Sequence, residues 1–198
     1  MRSAILALMI AVLSVSALAE QPARSRAKTA PSTPALSDAD RQKLHESAMN
    51  FMQAADARQR LEKSLDKLLE DGKEAMMQKN PGLAPEFGDE WLKRMHQRVI
   101  LDQFVITTAQ VYEKYFNTVE LDELTWEQLA FKKGAVYPLP PQLADKLKSN
   151  STRIQQDINQ ATSLIGGRVG AEVGKEIEKE HPEWITKLNV TAPTAKKL

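Results

Sequence analysis

Between Val99 and Phe116 the apolar and polar residues recur with a helical period. At about 100° per residue, Ile100, Leu101, Phe104, Val105, Thr108, Val111, Tyr112 and Tyr115 share one broad arc. Asp102, Gln103, Gln110, Glu113 and Lys114 share the other. So wide an apolar face belongs to a central packing helix. Asn117 follows, with Glu120 three positions on, the pattern of a helix-starting capping box. Leu121, Leu124 and Phe131 then carry a further helix to about Lys133, where Gly134 can end it. This helix–cap–helix unit organises the chain.

Upstream, Ser37-Asp38-Ala39-Asp40 is a helix start, and Leu44, Ala48, Phe51, Met52 and Ala55 keep helical spacing. Asp56 either caps a second helix or is run through. Leu61, Leu65, Leu68, Leu69, Gly72 and Met76 form the next stripe, and Asn80-Pro81-Gly82 ends it. Asp89 reads as the following cap, before Leu92, Met95 and Val99. Those three lie on a different side of the wheel from the Ile100–Tyr115 arc. With no glycine or proline near Val99, the expectation is one continuous helix buried on two sides.

Downstream, Tyr137-Pro138-Leu139-Pro140-Pro141 is an extended connector. A last long helix carries Leu143, Leu147, Ile154, Ile158, Ile165, Val169, Val173 and Ile177, and stops at His181-Pro182. Within it Gly166, Gly170 and Gly174 are four apart, on one line beside the apolar stripe. Such a line lets another backbone approach closely. Its partner would be the Ala57–Met77 segment of the same chain or the same segment of a second copy, making a homodimer. No stretch alternates as a strand does. The class is all-α, a helical bundle of about five helices.

The first residues belong to another pattern. Met1-Arg2 is a short positive start, Ala4 to Val15 an apolar run, and Ala17-Leu18-Ala19 an A-x-A cleavage site. That is a secretory signal peptide over residues 1–19. Residues 20–36, rich in Ala, Pro, Ser, Thr and Arg, read as a disordered linker. The helical domain spans 37–185, and 186–198 is a flexible tail. No later run is long and apolar enough for a transmembrane segment. The expectation is an exported, periplasmic protein, extracellular being the weaker reading.

Tyr112-x-x-x-Phe116, then Asn117, then Glu120-Leu121 resembles the central motif of the domain of unknown function family 2059 (DUF 2059). The segments Ala48–Ala55 and Ala57–Met77, with Asn80-Pro81, are similar to that family's opening helices. The resemblance covers about residues 47–147. It implies an exported helical protein, in keeping with the signal peptide, and brings no activity with it. After the motif the family continues with an aromatic pair and a Ser-Pro-x-Gly turn, where this chain has Phe131-Lys132-Lys133-Gly134 and Pro138-x-Pro140-Pro141.

Composition narrows the chemistry. In 198 residues, 27 Lys and Arg nearly balance 26 Asp and Glu, so no global field draws nucleic acid. With no cysteine, disulfides, thiolate nucleophiles and cysteine metal sites are excluded. His45, His96 and His181 show no metal-ligand spacing. Glu120, Asp122 and Glu123 sit in a helix's first turn, where carboxylates complement its dipole. Gly166-Gly167 lacks the strand and the G-K-[ST] of a phosphate loop. No catalytic residue, metal or cofactor is expected. The reading is a non-catalytic interaction module whose partner is an envelope protein, its helices rich in Met49, Met52, Met76, Met77 and Met95. The alternative is a carrier enclosing an apolar ligand, a lipid or cell-wall fragment, and an enzyme comes third. An apolar cavity favours the carrier, and a flat exposed apolar patch above about 400 Å² favours the module.

Overall fold

The computed structural model describes residues 36–185. The signal-peptide pattern with Ala17 and Ala19, almost all of the linker and the tail therefore lie outside the described residues. Among these residues six helices follow one another: α1 (Asp38–Ala54), α2 (Ala57–Lys79), α3 (Pro85–Arg98), α4 (Leu101–Tyr115), α5 (Thr118–Lys132) and α6 (Pro141–Glu180). A short 3₁₀ turn, Pro182–Trp184, closes the series. Among the described residues there is no strand, and no helix is long and apolar enough to cross a membrane.

Most boundaries have local causes. Ser37 caps α1, its hydroxyl accepting from the Asp40 N–H at 3.2 Å. Asp56 separates α1 from α2 in a left-handed conformation with φ of 53°. Its carboxylate caps nothing, and accepts instead from Lys132 Nζ at 2.6 Å. Asp89 does not start α3. Pro85 does, at a first-turn position where a missing N–H costs nothing, and Asp89 lies inside the helix, bonded to Lys73 at 2.9 Å. Gly134, at φ of +70°, ends α5 as expected of it.

The continuous helix expected across Val99 is broken. Val99 and Ile100 are both extended, with ψ of 115° and 97°. The reason is the phase difference already present in the pattern. Leu92, Met95 and Val99 face one core, Val105, Val111 and Tyr112 another, and no straight helix presents both. Two β-branched residues, poor helix formers, absorb the change without glycine or proline. Tertiary packing thus adds a sixth helix. Phe131, expected in the apolar stripe of α5, is instead exposed near that helix's end.

One core joins α1, α4, α5 and the first half of α6 around Phe51, Tyr112, Leu121, Leu124, Ile154 and Ile158. Tyr112 meets Phe51 edge-on at 5.0 Å between centroids and stacks on Phe116 at 5.9 Å. Burial pushes the Tyr112 phenol up. The capping box forms beside it: Asn117 Oδ1 accepts from the Glu120 N–H at 3.0 Å, and Glu120 Oε2 accepts from the Asn117 N–H at 2.9 Å. Lys146 donates to both Glu120 oxygens at 2.8 and 2.7 Å and lies over the Phe116 ring, so the box also ties α5 to α6.

The second core joins α2, α3, the end of α6 and the closing turn around Leu69, Phe87, Trp91, Met95, Val173 and Ile177. Arg94 fastens its rim, bonding Glu90 at 2.8 Å and Glu180 at 2.5 Å, with Arg98 on Glu176 at 2.8 and 2.6 Å. Helix α6 runs through both cores, 40 residues and about 60 Å long.

Asn117→Ala should destabilise the fold by about 1 kcal/mol through the lost cap. Tyr112→Ala should cost about 3 kcal/mol through the cavity it leaves. Denaturant titration of both variants checks the order. The Arg94 cluster adds a pH dependence. Hydrogen bonds from Arg94 hold the Glu90 and Glu180 carboxyls below their ordinary value of 4.5. Folded-state values that are lowered give stability present above pH 4.5 and lost as pH falls through them. Melting temperature should therefore drop on acidification through this range, and drop less steeply in Arg94→Ala.

Candidate functional site

The leucine stripe of α2 does not close against α6. Leu61, Leu65 and Leu68 remain half-buried, although they face the bundle. Between them and α6 lies a cavity of about 570 Å³. One wall is α2, with the three leucines, Leu69, Gly72, Ala75 and Met76. The floor is Trp91, Met95, Val99, Leu101 and Phe104, from α3, α4 and the break between them. The opposite wall is α6, with Asn159, Thr162, Ser163, Gly166, Gly167, Gly170 and Ala171. Lys79 and Asn80 border it at the end of α2. The lining is predominantly apolar, and the volume lies within the range of about 300–1,000 Å³ usual for ligand pockets.

Trp91 holds the walls apart. A Cβ built on Gly72 would lie 3.4 Å from its Cη2, and one built on Gly170 would lie 3.2 Å from its Cζ2. The indole thus fits against two glycines, one from each wall. Its Nε1 donates to the Gly170 carbonyl at 3.1 Å, which satisfies the buried indole N–H.

The glycine line of α6 therefore meets three surroundings. Gly170 packs on the Trp91 indole, a side chain where a second backbone was expected. Gly174 makes ordinary contact, its would-be Cβ 3.9 Å from Phe87 Cζ. Gly166 differs: among the described residues, the neighbouring backbone of α6 aside, no atom lies within 4 Å of a Cβ built there or on Gly167. Both instead line the cavity.

The other expected motif residues stand elsewhere. Tyr112, Phe116 and Leu121 fill the first core, with Asn117 and Glu120 at its edge, and none lines the cavity. The histidines do not converge. His45 Nδ1 lies 2.7 Å from Glu113, His96 Nδ1 3.8 Å from Asp66, and His181 stacks on Trp184 at 3.8 Å. Asp102 is exposed and ion-paired with Arg58. Among the described residues no group of three or more His, Asp or Glu is placed to hold a metal ion.

In the sequence Leu61, Leu65 and Leu68 read as an ordinary apolar stripe, and Trp91 as an anchor in the core or at its rim. Their signal was there in part: a leucine face on one helix and a bare glycine stretch on another. That the two face each other across about a hundred residues of chain is set by tertiary structure. No family, no curated protein and no solved structure matches this chain.

Proposed function

We propose that the protein is a non-catalytic binding module that takes an elongated apolar ligand, such as an acyl chain, into the groove between α2 and α6. One observation carries this reading. Glycine in a helix interior is less favourable than alanine by about 1 kcal/mol. At Gly170 the fold recovers something for it, because Trp91 occupies the space. At Gly166 and Gly167 none of the described residues occupies it, and half-buried leucines stand opposite. A bare wall that packing does not use, facing an unfilled leucine stripe, suits an occupant from outside the chain.

Burying a methylene group is worth about 0.8 kcal/mol, so a chain-like ligand gains affinity progressively along such a wall. The polar groups at the groove's margin, Lys79, Asn80, Asn159 and Ser163, leave room for a ligand with a polar end. The reading includes export, on the signal-peptide pattern of residues 1–19, and kinship with DUF 2059, on the Tyr112–Leu121 motif. Action in the periplasm as a carrier follows from these two expectations together. A second reading, a protein-interaction module, is favoured by the exposed Val119, Trp126 and Val136 on and beside α5.

Gly166→Leu separates binding from stability. The leucine should fill the groove and suit the helix, so melting temperature should hold or rise. Binding of a pyrene-labelled long-chain fatty acid, saturable at one per chain in the unaltered protein, should weaken at least about tenfold. An unaltered protein that does not bind the probe, or a Gly166→Leu variant that binds it equally well, would defeat the proposal. Gly170→Leu should behave oppositely in stability, lowering the melting temperature by displacing Trp91.

A further inference from the structure

The outward face of α5 carries large apolar side chains that no described residue covers. Val119 is 69% exposed and Trp126 59%. They stand seven residues apart, two turns, and Lys133, the residue that caps the helix's C-terminus, lies seven further on and extends the same line. Asp122, Glu123 and Ala130 flank that line. The connector after Gly134 folds back to the same side: the Tyr137 hydroxyl donates to Glu123 at 2.8 Å, beside Val136, 74% exposed.

Charge is segregated along this face. Its N-terminal half carries Asp122 and Glu123, its C-terminal end Lys133, and Trp126 lies midway between Val119 and Lys133. The remaining charges of α5 are engaged elsewhere or set aside. Glu120 holds Lys146 and its own cap, Lys132 holds Asp56, and Glu127 lies on the half-buried flank beside Gln128.

We infer that this face pairs with itself, two copies meeting through antiparallel α5 helices about a two-fold axis at Trp126. A helix whose two halves carry opposite charge around a central aromatic is complementary to its own reversed copy. Two-fold pairing uses that property twice, because every contact recurs. In this register the two Trp126 rings meet at the axis. Lys133 of one copy stands level with Val119 of the other and one turn from its Asp122, within reach of a lysine side chain. A parallel arrangement would instead set acid against acid. A membrane surface fits less well, because Asp122 and Glu123 flank the tryptophan on the side that would meet anionic headgroups.

Sedimentation equilibrium tests the pairing, with circular dichroism confirming that each variant remains helical. The unaltered protein should show a monomer–dimer equilibrium, and Trp126→Glu should remain monomeric at the same concentrations. Asp122→Lys and Lys133→Glu should each weaken dimerisation at least about tenfold, since each sets like charges opposite one another twice. Mixing those two variants should restore the dimer, because the mixed pair regains both contacts. A protein that is monomeric up to its solubility limit would overturn the inference. So would a dimer indifferent to Trp126→Glu, or a mixture no tighter than its components. Vesicle co-sedimentation that depends on Trp126, in a protein that stays monomeric, would assign the face to a lipid surface instead.

Discussion

The separation of α2 from α6 is set by the Trp91 indole. A flat ring held against glycine on both sides is a spacer with little tolerance: a larger residue at either glycine meets it, and a smaller one at position 91 removes it. The Nε1 bond to the Gly170 carbonyl fixes the ring's orientation as well as its position. Where the indole sits, the two helices are bridged. Further along, the same separation persists with no described residue to fill it, and the groove is what remains. The apolar cavity is therefore a by-product of tight packing one helical turn away.

Much of this architecture is legible in the sequence because its determinants are local. The arc from Val105 to Tyr112, the Asn117–Glu120 box, Gly134 and the connector into Pro141 all act within a few residues. What is not legible depends on partners distant in the chain. Val99 and Ile100 carry no breaker residue, and the helix parts there because two cores pull its faces in different directions. Gly166 and Gly170 stand in the same four-residue repeat and look alike on a helical wheel. Only the position of Trp91, 79 residues from Gly170, makes one a packing contact and the other a bare wall.

The two surfaces proposed for binding lie on separate elements. The groove belongs to α2, α3, α4 and α6, and the exposed aromatic line to α5. Carriage and pairing therefore make independent demands on the sequence. A side chain placed on the outward face of α5 leaves the leucine stripe untouched, and a filled groove leaves Trp126 free.

Helix α6 joins the two cores, as α2 does through Ala57 in the first and Leu69 in the second. Its first half belongs to the cluster around Tyr112 and its last turns to the cluster around Trp91. Between them lies a stretch with two adjacent glycines, an exposed Leu164 and no packed wall at Gly166 or Gly167. Contiguous packed regions open as cooperative units, and sparsely packed backbone exchanges its amide hydrogens sooner. The amides of a single unbroken helix should thus fall into three zones of protection, slow in the two packed stretches and fast between them. By this measure the protein is two packed units joined by α2 and α6, and the groove between those helices marks the seam.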